Sequence, residues 1–147
     1  MASFRFNLEP VLTYRHRLEE KAKEELAGSL AQYEQAKKAL ESVEVALSAN
    51  CRPVECGKVN LEQLVISEQY QRLLEEQLEV QTARVEAAEK AVAKCRAKLE
   101  QKMQERKVVE TLKDKRLAEF RYRQEQQEQK LLDDVATAQF IRNSLDR

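Results

Sequence analysis

The sequence predicts an all-α fold: a two-helix antiparallel coiled-coil hairpin whose longer second helix projects beyond the pair. Three observations carry this. The 147 residues hold only 2 Gly and 2 Pro, with 5% aromatics and no Trp. That is too few turn residues for a globular domain and too little aromatic volume to fill one. Apolar residues recur at three- and four-residue steps over two long stretches, a narrow stripe that suits a coiled-coil seam rather than a broad globular face. Only one interior stretch interrupts the pattern. The whole chain, 1–147, therefore reads as a single coiled-coil domain.

Helix one is expected from about Leu8 to Ala49. Asn7 can cap it, and Pro10 falls in the first turn, where a missing N–H costs nothing. Its stripe is Leu18, Ala22, Leu26, Tyr33, Ala36, Leu40, Val43 and Leu47. The break runs Ser48-Ala-Asn-Cys-Arg-Pro-Val-Glu-Cys-Gly-Lys-Val-Asn60. Pro53 biases Arg52 away from helix and Gly57 permits positive φ, so a tip loop is expected at about 50–60. Helix two is expected from about Leu61 to near Asn143, capped by Asn60 with Gln63 placed to reach back. Its stripe is Leu74, Leu78, Val85, Ala88, Val92, Cys95, Leu99 and Met103. Glu19–Lys23, Glu34–Lys38, Glu68–Arg72, Glu86–Lys90 and Glu119–Arg123 stand at i,i+4 in the favoured order, each adding ~0.3 kcal/mol.

Helix one should be roughly 60 Å long and helix two roughly twice that. Folding back at the loop places Leu40 and Val43 near Tyr70 and Val65, Tyr33 near Leu78, and Tyr14 near Cys95. Helix one is then used up by about Lys102. The projecting remainder carries Leu112, Leu117, Phe120, Leu131, Val135 and Phe140. Burying a Leu or Phe is worth ~2 kcal/mol, so the stripe calls for a partner. Homodimerisation, bending back, and docking on a different protein all satisfy it.

Composition argues against several function classes. With 26 Lys+Arg against 26 Asp+Glu the formal net charge is +0, which gives no global field for nucleic acid or anionic lipid. The segment Lys102–Arg123 is basic but interleaved with Glu105, Glu110, Asp114 and Glu119, so a solvated face or an acidic protein groove suits it better than nucleic acid. Met-Ala-Ser-Phe-Arg-Phe-Asn is no signal peptide, and no run approaches the roughly 20 apolar residues of a membrane span. No direct membrane insertion is expected, and three cysteines, an odd number, point to reduced thiols in a cytoplasm. Cys51 and Cys56 flank the tip, where a reversible disulfide is conceivable, while Cys95 lies far along helix two. This set cannot supply a zinc site. His16 has no carboxylate or cysteine nearby in sequence. No phosphate loop, nucleophile elbow or acid pair is present, so no catalytic residue, cofactor or metal is expected, and the chain is not expected to be an enzyme.

The stretch Phe4-Arg-Phe-Asn-Leu-Glu-Pro-Val-Leu-Thr-Tyr-Arg15, running into Leu18-Glu-Glu-Lys-Ala-Lys-Glu-Glu-Leu-Ala27, resembles the start of the flagellar export protein FliJ family. Glu110-Thr-Leu-Lys-Asp-Lys-Arg-Leu-Ala-Glu-Phe120, followed by Glu128-Gln-Lys130 and Asp133-Asp-Val-Ala136, resembles that family's other marked block. The resemblance implies a non-catalytic stalk of the flagellar type III export apparatus, similar in form to the central stalk of rotary ATPases. It implies binding to the export ATPase ring, to the cytoplasmic part of the export gate and to export chaperones. A cytoplasmic place follows, held peripherally at the inner face of the cell membrane through the apparatus. By carry-over, Leu8, Leu12, Tyr14, Arg15, Leu112, Lys113, Lys115, Arg116, Phe120 and Lys130 would meet the ATPase. Leu40, Val43, Tyr70 and Leu74, nearer the loop, would face the gate. The sequence lacks tyrosines at Val43 to Asn50, before the loop, where the family pattern leads one to expect them. Rival readings are the stalk of a virulence secretion system, a homodimeric structural coiled coil and, last, an RNA-binding protein.

Overall fold

The computed structural model describes residues 3–50 and 60–145. Two helices make up the fold: α1, Glu9–Asn50, and α2, Leu61–Leu145. Their bounds lie within two residues of those expected. Among the described residues there is no strand, and the all-α two-helix hairpin is the fold. α1 starts on backbone hydrogen bonds, Glu9 N–H to the Phe6 carbonyl and Leu12 N–H to the Leu8 carbonyl, with Pro10 in its first turn. Asn60 caps α2: its side-chain oxygen accepts from the Glu62 N–H at 3.3 Å, and its carbonyl accepts from the Leu64 N–H. Cys51, Pro53, Cys56 and Gly57, expected in the tip loop, lie outside the described residues.

The chain falls into two compact units, Leu18–Lys102 and the pair Met1–Arg17 with Met103–Arg147. In the first, every residue of both expected stripes as far as Leu99 is buried or half-buried, with Ala22, Val43, Leu74 and Val92 the deepest apolar ones. The alternating three- and four-residue steps put these side chains on one helix face, and the helices share that face as a seam. Glu25 accepts from Lys98 Nζ at 2.6 Å, and Asn50 donates its amide to the Ser67 carbonyl at 3.3 Å while Ser67 Oγ donates to Asn50 Oδ1. The strands of the pair therefore run antiparallel. Glu19–Lys23 and Glu68–Arg72 close as i,i+4 ion pairs.

The register differs from expectation. Tyr33 shares a hollow with Val92 and Arg96 rather than lying near Leu78, and Val43 shares one with Leu73, Val80 and Gln81 rather than with Val65. The displacement is about two to four helical turns. Its cause lies in the ends: Asn50, the last residue of α1, faces Ser67, so α2 runs from Leu61 to Ile66 before pairing begins. Those first residues are exposed, Leu61 by 74% and Ile66 by 64%.

The second unit pairs the start of the chain with α2 beyond Met103. Arg15 is bonded to Glu105, not placed by Cys95, and Glu9 meets Lys113 Nζ at 2.8 Å. Helix one is thus not used up at Lys102. Past Leu8 the covering element is no longer a helix but an irregular segment, in which Phe6 is buried and the Phe4 ring lies 5.6 Å from that of Phe120. Covered positions of α2 here include Met103, Arg106, Glu110, Lys113, Leu117, Phe120 and Gln124, whose alternating three- and four-residue steps continue past the point where the helical partner ends. Leu117 and Phe120, expected on the projecting stripe, are instead half-buried. From residue 125 to residue 145 every side chain of α2 is exposed.

Candidate docking surfaces

A seam of two helices buries one face of each and encloses nothing. Its hollows are open, and among the described residues no three His, Cys, Asp or Glu side chains gather as a metal site would require. His16 is exposed, and the free thiol of Cys95 is half-buried in the seam. Lys98 sits above the ordinary lysine value, held there by its hydrogen bond to Glu25 and then by the same carboxylate's charge. What the fold offers a ligand is therefore surface.

In the unit containing the chain start, the residues expected to meet an ATPase divide by burial. Leu12 is 7% exposed and Leu8 half-buried, so both hold the pair together. Arg15 is engaged by Glu105, Lys113 by Glu9, and Arg116 lies with its guanidinium carbon 5.8 Å from the Phe6 ring centroid. Tyr14, Lys115 and Lys130 are exposed, and Leu112 is only just so. Val108, 70% exposed, joins Leu112 in a shallow apolar groove between Lys107 and Lys115. Farther along, Leu131, Leu132, Val135, Phe140, Ile141 and Leu145 are all more than half exposed. Leu131 and Val135, four residues apart, share a face with Ala138 and Leu145.

In the unit containing the loop ends, Val43 and Leu74 are buried and Leu40 half-buried, which gives them seam duty. Of the four residues expected to face a gate, only Tyr70 is exposed. Sequence reasoning missed its neighbours Leu61, Leu64, Val65, Ile66 and Leu73, all exposed. The signal existed: four apolar residues within the first six of α2, with no counterpart in the stripe. The segment 61–89 holds seven Glu against two Arg, while 90–123 holds twelve Lys or Arg against five acidic residues. The two stretches of α2 thus suit partners of opposite sign, although the chain as a whole is neutral.

Fold and surface together define a class: a two-helix coiled-coil protein whose chemistry lies on exposed apolar and charged faces rather than in a cleft. The family model described as flagellar FliJ protein matches residues 4–145, and the chain belongs to that family. Membership gives it a part in flagellar protein export. Comparison with curated proteins and with solved structures returns no significant match. Among the described residues no helix is long and apolar enough to cross a membrane.

Proposed function

We propose that the chain is a non-catalytic stalk of the flagellar export apparatus, binding the export ATPase ring through its terminal part and the cytoplasmic part of the export gate through its loop-proximal part. Export chaperones are further partners, and the stalk is held at the inner face of the cell membrane through the apparatus. The observation that supports this best is the bare end of α2. Six large apolar side chains between residues 131 and 145 are exposed on a helix that nothing among the described residues covers. A helix of this length is marginal alone in water, because packing rather than propensity stabilises most helices. Seated in the middle of a ring, it would bias assembly and turnover by contact without supplying a reacting group. Lys115 and Lys130 add exposed positive charge for an acidic ring lining. At the other end Tyr70 and Leu73, with Leu61 to Ile66 beside them, present an apolar face in an acidic surround.

ATP turnover by the export ATPase, titrated with stalk, tests the reading. Each Leu or Phe that becomes buried contributes about 2 kcal/mol, and 1.4 kcal/mol is about tenfold, so removing residues 125–147 should raise the half-maximal concentration at least about tenfold. The seam is untouched by this truncation and should keep its helicity. Full stimulation by the truncated chain would leave pairing with a second copy as the better account of the stripe.

A further inference from the structure

We propose that residues 3–9 form a strap that shields the α2 surface made by Lys113, Arg116 and Phe120, and that the segment docking there displaces it. The inference rests on the ATPase reading above, since these three residues are among those assigned to the ring. In the free chain each is already engaged by the chain's own start: Lys113 by the Glu9 carboxylate at 2.8 Å, Arg116 by the Phe6 ring, Phe120 by the Phe4 ring at 5.6 Å. All of the strap but Glu9 precedes α1, and the backbone hydrogen bond from Glu9 N–H to the Phe6 carbonyl, at 3.2 Å, is local to it. An open hollow of about 730 Å³ lies against Phe4, Arg5, Phe6, Asn7 and Lys113. The contacts of the strap with Lys113, Arg116 and Phe120 are made by side chains.

Those side chains also describe what replaces them. An ammonium, a guanidinium and an aromatic face accept a carboxylate and an aromatic ring, which is what the strap presents as Glu9, Phe6 and Phe4. The displacing segment is therefore an acidic one carrying an exposed aromatic. Lifting the strap uncovers Phe6, which is 6% exposed, so the closed form prevails until a ligand of matching chemistry arrives. The closed fraction lowers apparent affinity by the same factor, and weakening the strap recovers it.

The full-length chain carrying Phe4→Ser tests this, since Phe4 is only half-buried and Phe6 and Leu12 stay in place. Half-maximal stimulation of the export ATPase should need about threefold to tenfold less of this variant than of the unaltered chain. In parallel, a fluorine-labelled phenylalanine at Phe6 in the unaltered chain should move to a solvent-like resonance when ring is added, with complex formation followed by sedimentation. An unmoved resonance within a sedimenting complex, or a Phe4→Ser chain no better than the unaltered one, overturns the strap and leaves the docking reading standing. No complex at all removes the docking reading and the strap with it.

Discussion

Leu74 and Leu131 sit on the same continuous helix, and their fates are opposite: Leu74 is 4% exposed, Leu131 64%. Each begins a three- and four-residue apolar repeat, and each has a second leucine beside it, Leu73 and Leu132. The difference is that Leu74 has a second helix against it and Leu131 has none. Amphipathic periodicity therefore tells which face of a helix is able to pair, and burial tells whether the pairing happens within the chain. The first region spends its apolar face on stability, and the second leaves it exposed.

The sharpest way to break that comparison is a matched pair of truncations of side chains. Leu74→Ala should destabilise the chain by about 2–4 kcal/mol, since it opens a gap in a packed seam, and Leu131→Ala should stay within about 0.5 kcal/mol. Urea unfolding followed by helicity measures both. Equal losses would mean that the bare end is covered in the free chain, and the contrast would be void. Hydrogen exchange sharpens the same point: amides near Leu74 should be protected, and those beyond residue 125 should exchange as in an isolated helix.

A smaller effect is expected inside the seam itself. Glu19 is 4% exposed, the buried charged residue among the described ones, and it is bonded to Lys23 at 2.8 Å. Removing a hydrogen-bonded buried carboxylate by Glu19→Ala should cost about 1–3 kcal/mol, because a side chain packed into the seam and its charge-assisted hydrogen bond to Lys23 are lost together. Thermal unfolding of this variant beside Glu20→Ala, which changes an exposed neighbour, isolates burial from charge. Similar melting points for the two would show that water reaches the Glu19 layer.

The smallest effect belongs to Lys98. Its folded-state value is raised, so its bond to Glu25 contributes fully below the unfolded lysine value and is lost as pH climbs through the folded one. Both groups are half exposed, which keeps the contribution small and salt-dependent. Stability should therefore be flat in this group around neutrality and fall only in strong alkali. Lys98→Gln should remove part of that alkaline slope in a pH series of urea midpoints. A slope unchanged by the substitution would assign the alkaline loss to other groups.

The seam was legible in the sequence because its spacing is physical: Leu26, Tyr33, Leu40 and Leu47, or Leu78, Val85, Val92 and Leu99, lie on one face of any α-helix. The register was not legible, because sliding one helix by a heptad keeps apolar residues opposite apolar residues. Pairs such as Asn50 with Ser67 and Glu25 with Lys98 settle it, and they have no period to betray them. The same slip explains why Leu117 and Phe120 were expected on the bare stripe. Exposure at Leu131, Val135 and Phe140 was anticipated correctly, since they lie beyond the reach of α1 in either register. The cover supplied by Phe4 and Phe6 was hidden, because an irregular segment carries no repeat. Val43 and Leu74 resembled contact residues only because position along a hairpin does not tell inner from outer.

The antiparallel pairing also sets an order in time. Asn50 and Ser67 are 17 residues apart in sequence, Glu25 and Lys98 are 73, and Glu9 and Lys113 are 104. Closing the longest of these loops from an open chain costs about 1.6 kcal/mol more than closing the shortest, whereas each successive pair closed from its neighbour costs little. The helices therefore zip from the tip toward the ends of the chain. On the ribosome, at about 5–20 residues per second, Phe4 and Phe6 are made on the order of 10 s before Lys113 and Phe120. Of all the pairs in the chain, theirs waits longest for its second half.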